Sequence, residues 1–121
     1  MIIEKYTAAQ DVALFRLKGK LISSSMDKLK AGLDAALAAG AARVAVNLKG
    51  VDVVDSAAVG LLISRARAAR KAGGALILCE PQSGARALLQ LVDAAGALPV
   101  WETENEAIAS LGKRAEETAG E

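Results

Sequence analysis

A chain of 121 residues is about one domain's worth and can bury a core without disulfide or metal staples. Its 15 basic and 14 acidic residues leave a formal net charge of +1, so no bulk field recruits nucleic acid or an anionic membrane. The apolar fraction of 53% is rich in alanine while aromatics make up only 2% (Tyr6, Phe15 and Trp101), so small residues must pack close backbones.

Cys79, the only cysteine, excludes an intramolecular disulfide and reads as a small buried hydrophobe. The amino terminus "MIIEKYTAAQD" has neither the basic start nor the apolar run of a secretion signal. No later apolar segment approaches the roughly 20 residues of a membrane span. A cytoplasmic protein with no membrane insertion is the expectation.

In chain order, "IIEKY" and "VALFRLKG" are β-prone runs joined by the polar "TAAQD", and the first reads as an edge strand. "SSMD" then has the form of a capping box at Ser24 and Asp27. Met26, Leu29, Leu33, Ala36 and Leu37 follow at helical spacing, and the helix ends near Gly40. "ARVAVNL" is the near-continuous apolar run of a strand covered on both faces. After a loop, "KGVDVVD", the stripe Val59, Leu62, Ile63 and Ala66 marks a second helix. Arg65, Arg67, Arg70 and Lys71 lie off that stripe and place positive charge near the helix's end, as a solvated face does.

Gly73 and Gly74 stop that helix, and "ALILC" is another buried strand. Ser83 reads as the cap of a helix burying Ala85, Leu88, Leu89 and Val92, and "ALPVW" reads as the last strand. Thr103 and Glu106 frame a second capping box ahead of Ala107, Ile108 and Leu111. Residues 113–121 carry no apolar residue worth burying except alanine and read as a flexible tail, leaving 1–112 as the domain. Two strands followed by alternating helices and strands imply an α/β fold: a mostly parallel mixed sheet, an antiparallel N-terminal edge strand and about four helices.

In open sheets of this kind, sites gather outside the carboxyl ends of the strands, which is where "VDSAAVG" places Asp55 and Ser56. Ser56 is a helix cap, a nucleophile or a place for a phosphate. Catalysis would need a base beside the hydroxyl, yet the chain has no histidine, and no Ser-x-x-Lys or Gly-x-Ser-x-Gly arrangement surrounds Ser56. Asp52 and Asp55 lack the companions of a metal site, and no Gly-rich phosphate loop opens a helix. No enzyme, cofactor or metal is expected. Capping alone explains "DS" before an apolar stripe.

The segment "VAVNLKGVDVVDSAAVGLLISRARAARKAGGALILCEP" resembles the core signature of the STAS domain, shared by anti-sigma factor antagonists and cytoplasmic parts of sulfate transporters. The typical pattern there is a strand, an apolar loop, Asp-Ser-Ser-Gly-Leu-Gly, a helix, a Gly-Gly turn and a strand. "FRLKGKLISSSMDKLKAGL" and "ALPVWETENEAIASL" extend the likeness over nearly the whole chain. Ala57 and Ala58 stand for the usual second Ser and Gly, Ile22 where the antagonists commonly carry an acid, and Asn47 where many members have Asp.

By position, the resemblance implies that Ser56 is the phosphoacceptor. It also implies a partner, an anti-sigma factor with serine kinase activity, that contacts Ser23, Ser24, Asp55, Ser56, Ala57, Ala58 and Val59 and is released on phosphorylation. The alternatives are a STAS subunit that binds its partner constitutively, in a signalling or lipid-transport complex, and a small-ligand or nucleotide-binding module using the crevice at the strands' carboxyl ends.

Overall fold

The computed structural model describes the backbone of residues 1–119 and the side chains through residue 112. Five strands lie in the order β1-β2-β3-β4-β5: Ile2–Ala8 (β1), Val12–Leu21 (β2), Arg43–Val54 (β3), Ala75–Cys79 (β4) and Val100–Trp101 (β5). β1 pairs antiparallel with β2 as the outer strand, and every other pairing is parallel. Between the parallel strands run Asp27–Ala38 (α1), Ser56–Lys71 (α2) and Ser83–Val92 (α3), and Glu104–Ala119 (α4) follows β5. The expected tail at 113–121 lies outside the described side chains, and the helical backbone of α4 continues to Ala119.

Each crossover steps one strand further in the same direction, so right-handed connections put all three crossover helices on one face. Phe15, Leu17, Val44, Val46 and Leu48 of the sheet meet Leu29, Leu33, Leu62, Ala66 and Leu89 of those helices in the main core. On the opposite face α4 lays Ala107 and Leu111 over Val12, Leu14, Ala45, Ile77 and Cys79. The middle of β3 is thus buried on both sides, as its unbroken apolar run predicts. Cys79 is fully buried there, and Trp101 packs partly exposed at its margin.

The glycine stops act as expected. After α2, Gly73 takes φ +86°. Its N–H donates to the Arg70 carbonyl at 3.0 Å and the Gly74 N–H to that of Ala69 at 2.9 Å, the paired bonds of a Schellman cap. Gly40 ends α1 in the same way, at φ +88°.

Three local expectations are corrected. Asp27 opens α1, but Met26 occupies the cap position and no side chain caps it. Ser24 therefore makes no capping box; Ser25 instead turns its hydroxyl back to donate to the Lys20 carbonyl at 2.5 Å. Ser83 is the first residue of α3 and caps nothing, because Gln82 holds the cap position, and its side chain makes no capping bond. "KGVDVV" is no loop: β3 runs on to Val54 because Gly50, Val51, Val53 and Val54 pair with Lys18–Leu21 across two bulges of register. Thr103 does cap α4, accepting from the Glu106 N–H at 3.2 Å and donating its hydroxyl to the Glu106 carboxylate at 2.8 Å.

Two glycines separate packing from propensity. A Cβ on Gly74 would meet the Ala42 carbonyl oxygen at 2.1 Å, whereas one on Gly60, mid-helix and exposed, would meet nothing within 4 Å. Gly74→Ala is expected to lower unfolding free energy by about 1–3 kcal/mol and Gly60→Ala to raise it by about 0.4–1 kcal/mol, both read by denaturant titration.

Candidate functional site

Asp55 ends the β3 segment with extended backbone and is the cap of α2. One carboxylate oxygen accepts from the Ala58 N–H at 2.9 Å, and the other accepts from the Ser23 N–H, also at 2.9 Å. Its own N–H donates to the Leu21 carbonyl at 3.2 Å, so one residue fastens the end of β2, the loop after it and the start of α2. The Ala58 amide, then that of Ser23, holds the carboxyl below its ordinary range, with the Ser23 hydroxyl and Ala57 amide adding to the effect.

Capping therefore belongs to Asp55, and Ser56 is left as the first helical residue. Ser56 is exposed, and among the described residues its hydroxyl makes no hydrogen bond. Ser23, Ser24 and Ala57 are exposed and Asp55 is partly so. The structure brings these five together at the carboxyl ends of β2 and β3.

Ala58 and Val59 depart from the expected contact set. Both are 0% exposed and pack into the main core, so their side chains lie beneath this surface. Beyond them α2 shows Gly60, Ser64, Arg67, Arg70 and Lys71 to solvent. Arg65 differs from the solvated face expected of it, because its guanidinium forks onto Asp34 of α1 at 2.6 and 3.2 Å.

A second polar cluster, which local sequence patterns do not reveal, sits at the amino end of α4 on the other face. The Arg16 guanidinium grips Glu104 with two bonds of 2.9 and 2.8 Å and lies 4.9 Å from the centre of the Tyr6 ring. Asn47, the one buried polar side chain among the described residues, donates to Glu104 at 3.0 Å and to Glu80 at 3.2 Å, while Glu80 also accepts from the Glu104 N–H at 3.0 Å. Arg16, aided by Asn47, holds the Glu104 carboxyl below its usual range, and Glu104 in turn raises Arg16. Nearby, burial pushes the Cys79 thiol up to about 12, with Glu104 and Glu80 contributing, so it is protonated at neutral pH and behaves as the hydrophobe expected of it. Polar residues at the ends of apolar strands were the available signal, but Arg16 and Glu104 are 88 positions apart.

A five-stranded α/β sheet with three helices on one face and an exposed serine behind an aspartate cap defines a small α/β module with its candidate site at the strands' carboxyl ends. The STAS domain family matches residues 5–107, and the chain belongs to that family. No curated protein matches it. Among solved structures, SpoIIAA, an anti-sigma factor antagonist in its unphosphorylated form, is 25% identical with a TM-score of 0.72, covering 90% of this chain and 96% of its own. The phosphorylated form, described as a Bacillus cell fate determinant, gives 24% and 0.71, covering 90% and 98%. A protein from Thermotoga maritima described as an anti-sigma factor antagonist reaches 0.82 at 19% identity, covering 90% and 93%, a likeness of fold.

The Asp55 bridge has an acid signature. Its depressed carboxyl contributes stability that is fully present above the ordinary aspartate value of about 4 and is lost as pH falls through the lower folded value. Asp55→Asn keeps an acceptor for Ala58 but presents Ser23 with an amide that cannot serve both N–H groups. At pH 7 it is expected to melt about 4–8 °C below the parent, and the gap should narrow as pH falls below the ordinary aspartate value of about 4. Thermal melts on either side of that value check this; a gap that does not narrow in acid would contradict the bridge.

Proposed function

We propose that this chain is an anti-sigma factor antagonist that binds an anti-sigma factor kinase through the surface of Ser23, Ser24, Asp55, Ser56 and Ala57, and that phosphorylation of Ser56 releases it. The observation that carries the reading is the state of Ser56: an exposed hydroxyl with no hydrogen bond among the described residues, at the first turn of a helix whose capping is done by its neighbour. The resemblance of "VDSAAVG" to the family's Asp-Ser motif supports the same role for Ser56, and the relative SpoIIAA was solved in unphosphorylated and phosphorylated forms.

The kinase transfers the γ-phosphoryl group of ATP to Ser56 Oγ, taking up the hydroxyl proton as ADP leaves. The product carries about 1.5 to 2 negative charges at pH 7. Within the antagonist, the positive end of the α2 dipole accommodates that charge, and Ser56 has no core contacts to lose. Against a closely packed partner the phosphate must shed water beside the ionised Asp55, whose carboxyl is held in that state by Ala58 and Ser23. A loss of 1.4 kcal/mol is already about tenfold in affinity. Because Asp55 holds the cap, a modified Ser56 disconnects the partner with the helix start intact.

Ser56→Ala is expected to hold the kinase partner as tightly as the parent, within about twofold, and to stay bound when ATP is added. Ser56→Glu should bind at least about tenfold more weakly with an unchanged melting temperature. Surface-immobilised binding to the anti-sigma factor of the same genome measures both. Equal binding by Ser56→Glu and the parent would replace the switch with a constitutive partner subunit.

A further inference from the structure

α4 runs antiparallel to β2 and β3, from Glu104 beside Arg16 to Gly112 beside Gln10, and leaves their carboxyl-terminal reaches uncovered. A cavity of about 540 Å³ opens there, of the size that takes a small metabolite. Asn47 and Lys49 alternate with the core residues Val46 and Leu48, so they emerge on the face opposite α2.

The lining is built. Lys49 is fixed at both ends of its main chain, its N–H donating to Asn47 Oδ1 at 2.8 Å and its carbonyl accepting from Gln82 at 2.8 Å. Gly50 forms a floor where a Cβ would meet the Leu17 carbonyl oxygen and the Lys18 Cγ, both at 2.7 Å. Glu80 sits in the left-handed region at φ 55°, a conformation that costs energy for a side-chain-bearing residue, and its carboxylate is turned onto Asn47 and the α4 amino end.

The charges divide unequally between used and unused. Arg16 is spent on Glu104, but Lys18 and Lys49 make no ion pair or hydrogen bond through their ammonium groups among the described residues. Glu4 and Glu80 each direct one oxygen to a protein donor and keep acceptor capacity on the other. Two unpaired ammonium groups match a dianion, and two carboxylates match hydroxyl donors. We propose that this cavity binds a small phosphorylated polyol, its phosphate between Lys18 and Lys49 and its hydroxyl groups toward Glu4 and Glu80. The site is separate from Ser56 and stands or falls independently of the partner switch.

Titration of the isotope-labelled full chain with ribose 5-phosphate and with glycerol 3-phosphate, followed by backbone amide shifts, tests this. The expected result is saturable shifts at Lys18, Lys49 and Gly50 with none at Ser56, and at least about tenfold weaker binding by both Lys18→Gln and Lys49→Gln. Both lysines are exposed, and an unchanged spectrum elsewhere verifies the fold of each variant. No shift with either compound at millimolar concentration, shifts that survive both substitutions, or equal binding of inorganic phosphate or free ribose would overturn the proposal.

Discussion

The carboxylate of Asp55 is the constraint on which the site depends. Parallel strands end in separate loops that must be held in register if they are to form one surface, and here a single side chain spans two of them. The bridge uses both oxygens, so neither a hydroxyl nor an amide at position 55 can replace it. Its consequence for Ser56 is direct: the helix start is satisfied by the neighbour, and the serine hydroxyl is left for chemistry from outside.

The second constraint is chirality. Strand order 1-2-3-4-5 with right-handed crossovers sends α1, α2 and α3 to one face, leaving α4 alone to cover the other. One helix cannot shield that whole face, and the Arg16–Glu104 clasp with Asn47 and Glu80 fixes where its coverage begins. The same topology thus produces an exposed polar edge at Asp55 and Ser56, the proposed partner surface, and, on the far side, an uncovered polar hollow. The two sites share no lining residue: Asn47, Lys49 and Gly50 face the hollow, and Asp55 and Ser56 follow the end of β3.

Much of the fold was legible in the sequence for identifiable reasons. The alternation of apolar runs with helical stripes set the order of elements; Gly40 and Gly73 marked helix ends because the left-handed caps they form favour glycine, and Gly74 because no Cβ fits against Ala42. Capping was less legible. Three consecutive serines offered several local bonds, and Ser25 turned back to Lys20 while the apparent box at Ser24 and Asp27 went unmade. At "DS" the pattern allowed either residue to cap, and the choice of Asp55 follows from its second acceptor reaching Ser23, a partner 32 positions away. The extension of β3 through Val54 also rests on a partner strand, since Gly50 breaks the apolar run and only pairing with Lys18–Leu21 carries the strand past it. Ala58 and Val59 belong to a motif resembling a contact surface, but helical spacing turns both toward Leu62 and the core.

The central claim is that Ser56 is a phosphate acceptor poised by Asp55. Intact-mass analysis and phosphosite mapping of the protein purified from its own cells, with and without phosphatase treatment, test it most directly. The account predicts a single phosphate on Ser56 that phosphatase removes. Protein that remains unmodified at Ser56 through growth and stress would contradict it.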